Sequence, residues 1–111
     1  MSDIAIQRET TDATIAAARQ YRVALENKRV RVLDYHSQPG EKSPLHWHPA
    51  SLVYVIRPAT LLPAGPDGAS EEVELQSGEL LWREDTTHAV TNVGETDAHF
   101  LVAGLKDTQG I

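Results

Sequence analysis

From Tyr21 onward the chain repeats one pattern: a short run alternating polar and apolar residues, then a turn signal rich in Gly, Pro, Asn or Asp. Alternation with period two is what a half-buried strand needs, because successive side chains point to opposite faces. Residues 21–25 and 29–36 alternate on either side of Glu26-Asn27-Lys28, which predicts a hairpin closed by Gln38-Pro39-Gly40. The run around His46-Trp47-His48 follows, with apolar residues 52–56, and Arg57-Pro58-Ala59 then marks a bend or a sheet edge. Short strands are expected at 60–63, 71–75, 79–82, 88–92 and 98–105, with a loop at 64–69 and a polar bend at 84–87. Many short strands joined by such turns predict an all-β sandwich or barrel.

The 111 residues suit one domain with one modest core. Residues 1–20 read as an N-terminal arm, with a short helix from Asp12 to Gln20 capped by Thr10, Thr11 or Asp12. Residues 21–106 form the β domain, and residues 107–111 a polar tail. The acids among the first twelve residues argue against a signal peptide, and no stretch has the length of a membrane span. Without cysteine, any metal site must rest on His, Asp and Glu, and a cytoplasmic setting is expected. Ten basic against sixteen acidic residues give a formal charge of −6, with no basic stripe, so neither nucleic acid nor an anionic membrane is an expected partner.

His46-Trp47-His48 carries the chemistry. On a strand both imidazoles share one face and Trp47 takes the other, and Pro49 biases His48 toward extended geometry. Two imidazoles on one strand supply two positions of a facial metal site, and His88 is the best candidate for the third.

These residues resemble the small single-domain cupins, whose motifs read G-x5-H-x-H-x(3,4)-E-x6-G and G-x5-P-x-G-x2-H-x3-N. Gly40, His46 and His48 match the first in register; Gly78, His88 and Asn92 resemble the second. The resemblance runs over about residues 21 to 106. It implies a double-stranded β-helix, the cupin or jelly-roll barrel, with a mononuclear metal held by His46, His48 and His88. The glutamate of the first motif would fall at Leu52 or Val53, both apolar; Glu84 stands at the proline of the second, whose glycine is missing. The donor set is therefore three neutral imidazoles, suited to Fe, Zn, Ni or Cu with coordination positions left open. Such a set leaves the ion's charge uncompensated and favours an anionic, chelating ligand.

Three-histidine cupins include the β-diketone (acetylacetone) dioxygenases and the thiol dioxygenases. Resemblance to the former implies Fe(II), a small anionic substrate, O2 as co-substrate and C–C cleavage. Alternatives are a Zn-dependent hydrolase of small carbonyl substrates and a non-catalytic small-molecule-binding cupin. A homodimer is expected from the habit of small cupins, with residues 1–20 as the exchanged element.

Leu52, Tyr54 and Trp82 are candidate pocket residues, the first two because they share parity with His46 and His48. Tyr54 reads better as a core tyrosine with a satisfied hydroxyl, and Trp82 equally as a pocket wall or plain core. Asn92 is a candidate for orienting a ligand, although beside Gly94 it reads better as a turn residue. Glu84 reads as a solvated loop acid, and His36 and His99 as strand residues outside the site.

Overall fold

A computed structural model describes residues 11–106. One helical turn, α1 (Ala13–Ala16), precedes ten strands: β1 (Tyr21–Glu26), β2 (Val30–Ser37), β3 (His46–His48), β4 (Ser51–Arg57), β5 (Ala59–Gly65), β6 (Gly68–Ala69), β7 (Val73–Leu75), β8 (Leu80–Arg83), β9 (Thr86–Asn92) and β10 (Ala98–Leu105). They form two antiparallel sheets. One runs β1-β2-β10-β4-β8; the other runs β3-β9-β5-β6, with β7 also paired to β5.

The predicted hairpin is present: β1 pairs with β2 from Tyr21↔Tyr35 to Glu26↔Arg31. Pro58 is the corner at which the chain leaves the first sheet after β4 and enters the second as β5. A proline fits there because its nitrogen has no hydrogen to donate to a ladder. The two motif glycines sit in tight turns at φ +85° for Gly40 and +89° for Gly78, backbone that costs a side chain-bearing residue strain. Each turn is pinned to a strand, Gly40 N–H donating to the Asn92 carbonyl and Gly78 N–H to that of Val55.

The core lies between the sheets. Leu33 and Tyr35 of β2, Val53 and Val55 of β4, and Phe100 and Val102 of β10 point inward from one side; Leu61, Leu75 and Val90 meet them from the other. Tyr35 and Phe100 stack at 5.1 Å between ring centroids. Burial of this apolar layer is the main favourable term for the fold.

The N-terminal segment lies along the otherwise open edge of β3, where Asp12 forms a parallel bridge with Trp47. Covering an edge strand in this way removes a template for unwanted pairing. Asp12 caps α1 through Thr14 N–H and forms an ion pair with Arg31 of β2 at 2.6 Å. The helix is shorter than residues 12–20 predict: Ala17 leaves helical geometry at φ −127°, and residues 17–20 turn into β1. Burial of Ala13 and Ala17 against the barrel fixes this turn more than helix propensity does. The expected arm at residues 1–10 and tail at 107–111 lie outside the described residues.

Two further boundaries differ from expectation. Strand β5 extends through residues 64 and 65, so the 64–69 loop contracts to a hairpin with Pro66-Asp67 at its tip. Thr86 and Thr87 belong to β9 and pair with His48 and Trp47, leaving Glu84-Asp85 as the bend. β-Branched threonines suit a ladder, and the pairing partner decides the boundary. No helix among the described residues is long and apolar enough to cross a membrane.

Candidate functional site

Strand β3 is only three residues long, and its alternation places His46 and His48 inward, both wholly buried, with Trp47 on the other face. Strand β9 lies antiparallel beside it in a register that sets His88 directly opposite His46. The three rings meet nearly edge-on, with centroids 4.8 Å apart for His46–His48 and His46–His88 and 5.3 Å for His48–His88. Each residue offers a ring nitrogen within 4.8 Å of the others.

All three Nε2 atoms are buried without a hydrogen-bond partner. The Nδ1–H of His46 donates to the Pro44 carbonyl at 2.7 Å, the tautomer that leaves the Nε2 lone pair free. Burial pushes all three imidazoles below their ordinary range, His88 to about 3, and the nearby Arg83 guanidinium pushes the same way. Three neutral, convergent, unpartnered nitrogens are expensive to bury unless something else satisfies them. The set fits a divalent metal at about 2.0–2.1 Å per nitrogen and could hold one.

His88 lines a cavity of about 480 Å³ between the sheets, together with residues that include Tyr21, Tyr35, Val53, Phe100 and Arg83. Among the described residues no lining side chain carries a carboxylate. None of them replaces the missing motif glutamate, and Val53 presents apolar surface to the cavity. Tyr21 packs its ring 4.9 Å from both His46 and His48. Burial holds its phenol well above the usual range, so it keeps its proton and is a hydrogen-bond donor.

Sequence reasoning missed Tyr21 and Arg83. Parity flags the arginine: Leu81 packs against the core, so Arg83, two residues on, faces inward too. Tyr21 opens a strand far from either motif, and no local signal marks it.

Three candidate pocket residues lie elsewhere. Leu52 is 40% and Tyr54 45% exposed, on the outer face of β4, while Ser51, Val53 and Val55 point in. The assumed parity fails because residues 49 and 50 interrupt the strand between His48 and Ser51 and send it from one sheet to the other. An odd offset exchanges the two faces. Asn92 is buried, but its amide donates to the Ser37 and Thr96 carbonyls and accepts from Gly94 N–H, so it organises the turn. Trp82 borders the cavity mouth yet is 52% exposed, its indole N–H bonded to Glu84, which is a solvated loop acid as expected.

His36 and His99 face each other across β2 and β10 outside the barrel, with rings stacked at 3.9 Å. Asp34 Oδ1 lies 2.6 Å from His99 Nε2 and 3.3 Å from His36 Nε2. The three form a second group that could hold a metal, but only His36 of them is exposed and the ring nitrogen of His99 is already hydrogen-bonded to Asp34.

Comparison with solved structures places this architecture among known folds. A cupin domain from Bordetella pertussis superposes with a TM-score of 0.72 at 27% identity, over 78% of this chain and 92% of that one. An RmlC-like cupin family protein with a double-stranded β-helix fold from Methanocaldococcus jannaschii matches at 0.61 and 14% identity, over 77% of each chain. The polyketide cyclase RemF from Streptomyces resistomycificus matches at 0.60 and 18% identity, over 83% of this chain and 68% of that one. No protein-family model and no curated protein sequence matches the chain.

Proposed function

We propose that this chain, a cupin by fold, is a metal-dependent enzyme: an Fe(II) dioxygenase that cleaves a C–C bond of a small β-diketone-like anion. The observation that carries the metal reading is the set of three buried, unpartnered Nε2 atoms of His46, His48 and His88. Iron held by His46, His48 and His88 would supply Lewis acidity toward a chelating anion and the redox chemistry that O2 requires.

The chain's own residues support that substrate class. The cavity offers a positive guanidinium, a protonated phenol and apolar walls, and among the described residues no carboxylate that would repel an anion. The described lining residues supply no carboxylate base either, which suits a diketone acidic enough to arrive enolised. The Pro44 carbonyl fixes the ring of His46, and Val53 and Phe100 give the cavity apolar walls. A cytoplasmic homodimer is part of the proposal, on the absence of cysteine and the resemblance to small cupins.

Metal analysis of protein purified without chelator or nickel resin, followed by O2 uptake with simple 1,3-diketones, tests the proposal. About one iron per chain and substrate-dependent O2 consumption are expected. Zinc with turnover independent of O2 replaces the dioxygenase by a hydrolase of small carbonyl substrates, and ligand binding without turnover leaves a non-catalytic cupin. The solved polyketide cyclase shows that a barrel of this shape also serves other enzymes.

A further inference from the structure

Arg83 ends β8 opposite Ser51 and turns into the cavity. Its Nε is buried and has no hydrogen-bond partner, and among the described residues no carboxylate pairs with its guanidinium. A partly buried cation whose Nε is shut off from water and left unpartnered is costly, and a chain that keeps one has a use for it. The surrounding walls are mainly aliphatic and aromatic, and no described lining residue carries an opposing charge.

We infer that Arg83 is the receptor for a carboxylate on the ligand, which makes the ligand a short oxo acid with its carboxylate on Arg83 and its carbonyl end toward the three histidines. The planar guanidinium fork matches a carboxylate in two parallel hydrogen bonds. Inorganic phosphate, with four oxygens and a higher charge, needs more donors than one arginine and the Tyr21 hydroxyl supply. A carboxylate also satisfies the orphaned Nε while leaving the carbonyl end of the ligand for the histidines, which a simple diketone enolate with one anionic group does not. The inference deepens the proposed function by naming the substrate class, but the role of Arg83 itself stands without a metal.

Calorimetric titration of the purified protein, as isolated and after chelator treatment, separates the two ideas. The probes are acetoacetate, its uncharged methyl ester and inorganic phosphate. Acetoacetate is expected to bind both forms, and to bind the ester-matched pocket at least about 30-fold more tightly than the ester does. Arg83→Gln is expected to abolish that preference with metal content unchanged, and Arg83→Lys to keep part of it. The Gln variant is also expected to melt higher than wild type without ligand, because a partly buried charge with no counter-charge among the described residues is gone; a purely structural arginine gives the reverse. Equal affinity for acid and ester, no binding of the acid, unchanged binding by Arg83→Gln, or tighter binding of phosphate each overturns the inference. Acid binding that persists in a protein found to hold no metal sinks the metal reading and leaves this one intact.

Discussion

His46 on β3 lies directly across the ladder from His88 on β9, with ring centroids 4.8 Å apart. Two positions 42 residues apart in sequence thus become nearest neighbours, and His48 joins them through strand periodicity alone. His88→Ala is expected to take metal content from about one ion per chain to near none, as measured by elemental analysis after dialysis. Two neutral nitrogens without a third hold a divalent ion poorly. The folded state is expected to survive, as read by circular dichroism, because the variant also removes one buried, unpartnered nitrogen.

The faces of β4 give a second test. Val55 is wholly buried, while Leu52 and Tyr54 stand on the outer face opposite Trp82 and Leu80 of β8. Val55→Ala is expected to cost about 2 kcal/mol in urea unfolding, the scale of two buried methyl groups plus the cavity they leave. Leu52→Ser and Tyr54→Ser are expected to cost less than about 1 kcal/mol and to leave metal content unchanged. Metal loss in either serine variant contradicts the outward placement.

That placement also marks where sequence reading stops. Strand identities were legible because alternation and Gly/Pro punctuation are local, and the histidine pair was legible because two residues on one strand share a face. Whether Leu52 continues that face depends on what residues 49 and 50 do between two sheets, which no periodicity reports. His88 needed the cupin motif, since its partner lies on a distant strand. Arg83 and Tyr21 went unread for the same reason: their meaning comes from the cavity that four or more strands enclose.

Gly78 offers a test of the turn that feeds β8. Its φ of +89° lies where a β-carbon is strained, although no atom within 4 Å would meet one. Gly78→Ala therefore isolates backbone strain from crowding. The expected loss is about 1–2 kcal/mol in denaturant unfolding, with metal content and β-sheet circular dichroism unchanged. A neutral result would mean that the turn relaxes to negative φ without disturbing the Gly78–Val55 hydrogen bond.

Asp12 links the N-terminal segment to the barrel by charge as well as by capping. Burial alone would raise its carboxyl, but the hydrogen bond from Arg31 at 2.6 Å and those from Thr14 outweigh it and hold the group below its usual 3.8. A carboxylate depressed in the folded state adds stability above its unfolded value, and that stability is lost as pH falls through the folded value. Asp12→Asn keeps the cap, since asparagine caps as well as aspartate, and removes only the charge. The variant is expected to be less stable by about 1 kcal/mol at neutral pH, the scale of a partly exposed ion pair. As pH falls below 3.8 the wild-type carboxylate protonates and the gap should narrow toward zero. Melting temperatures of both proteins from pH 7 to pH 3 check this, and a gap that stays constant across the range would assign the contribution of Asp12 to hydrogen bonding alone.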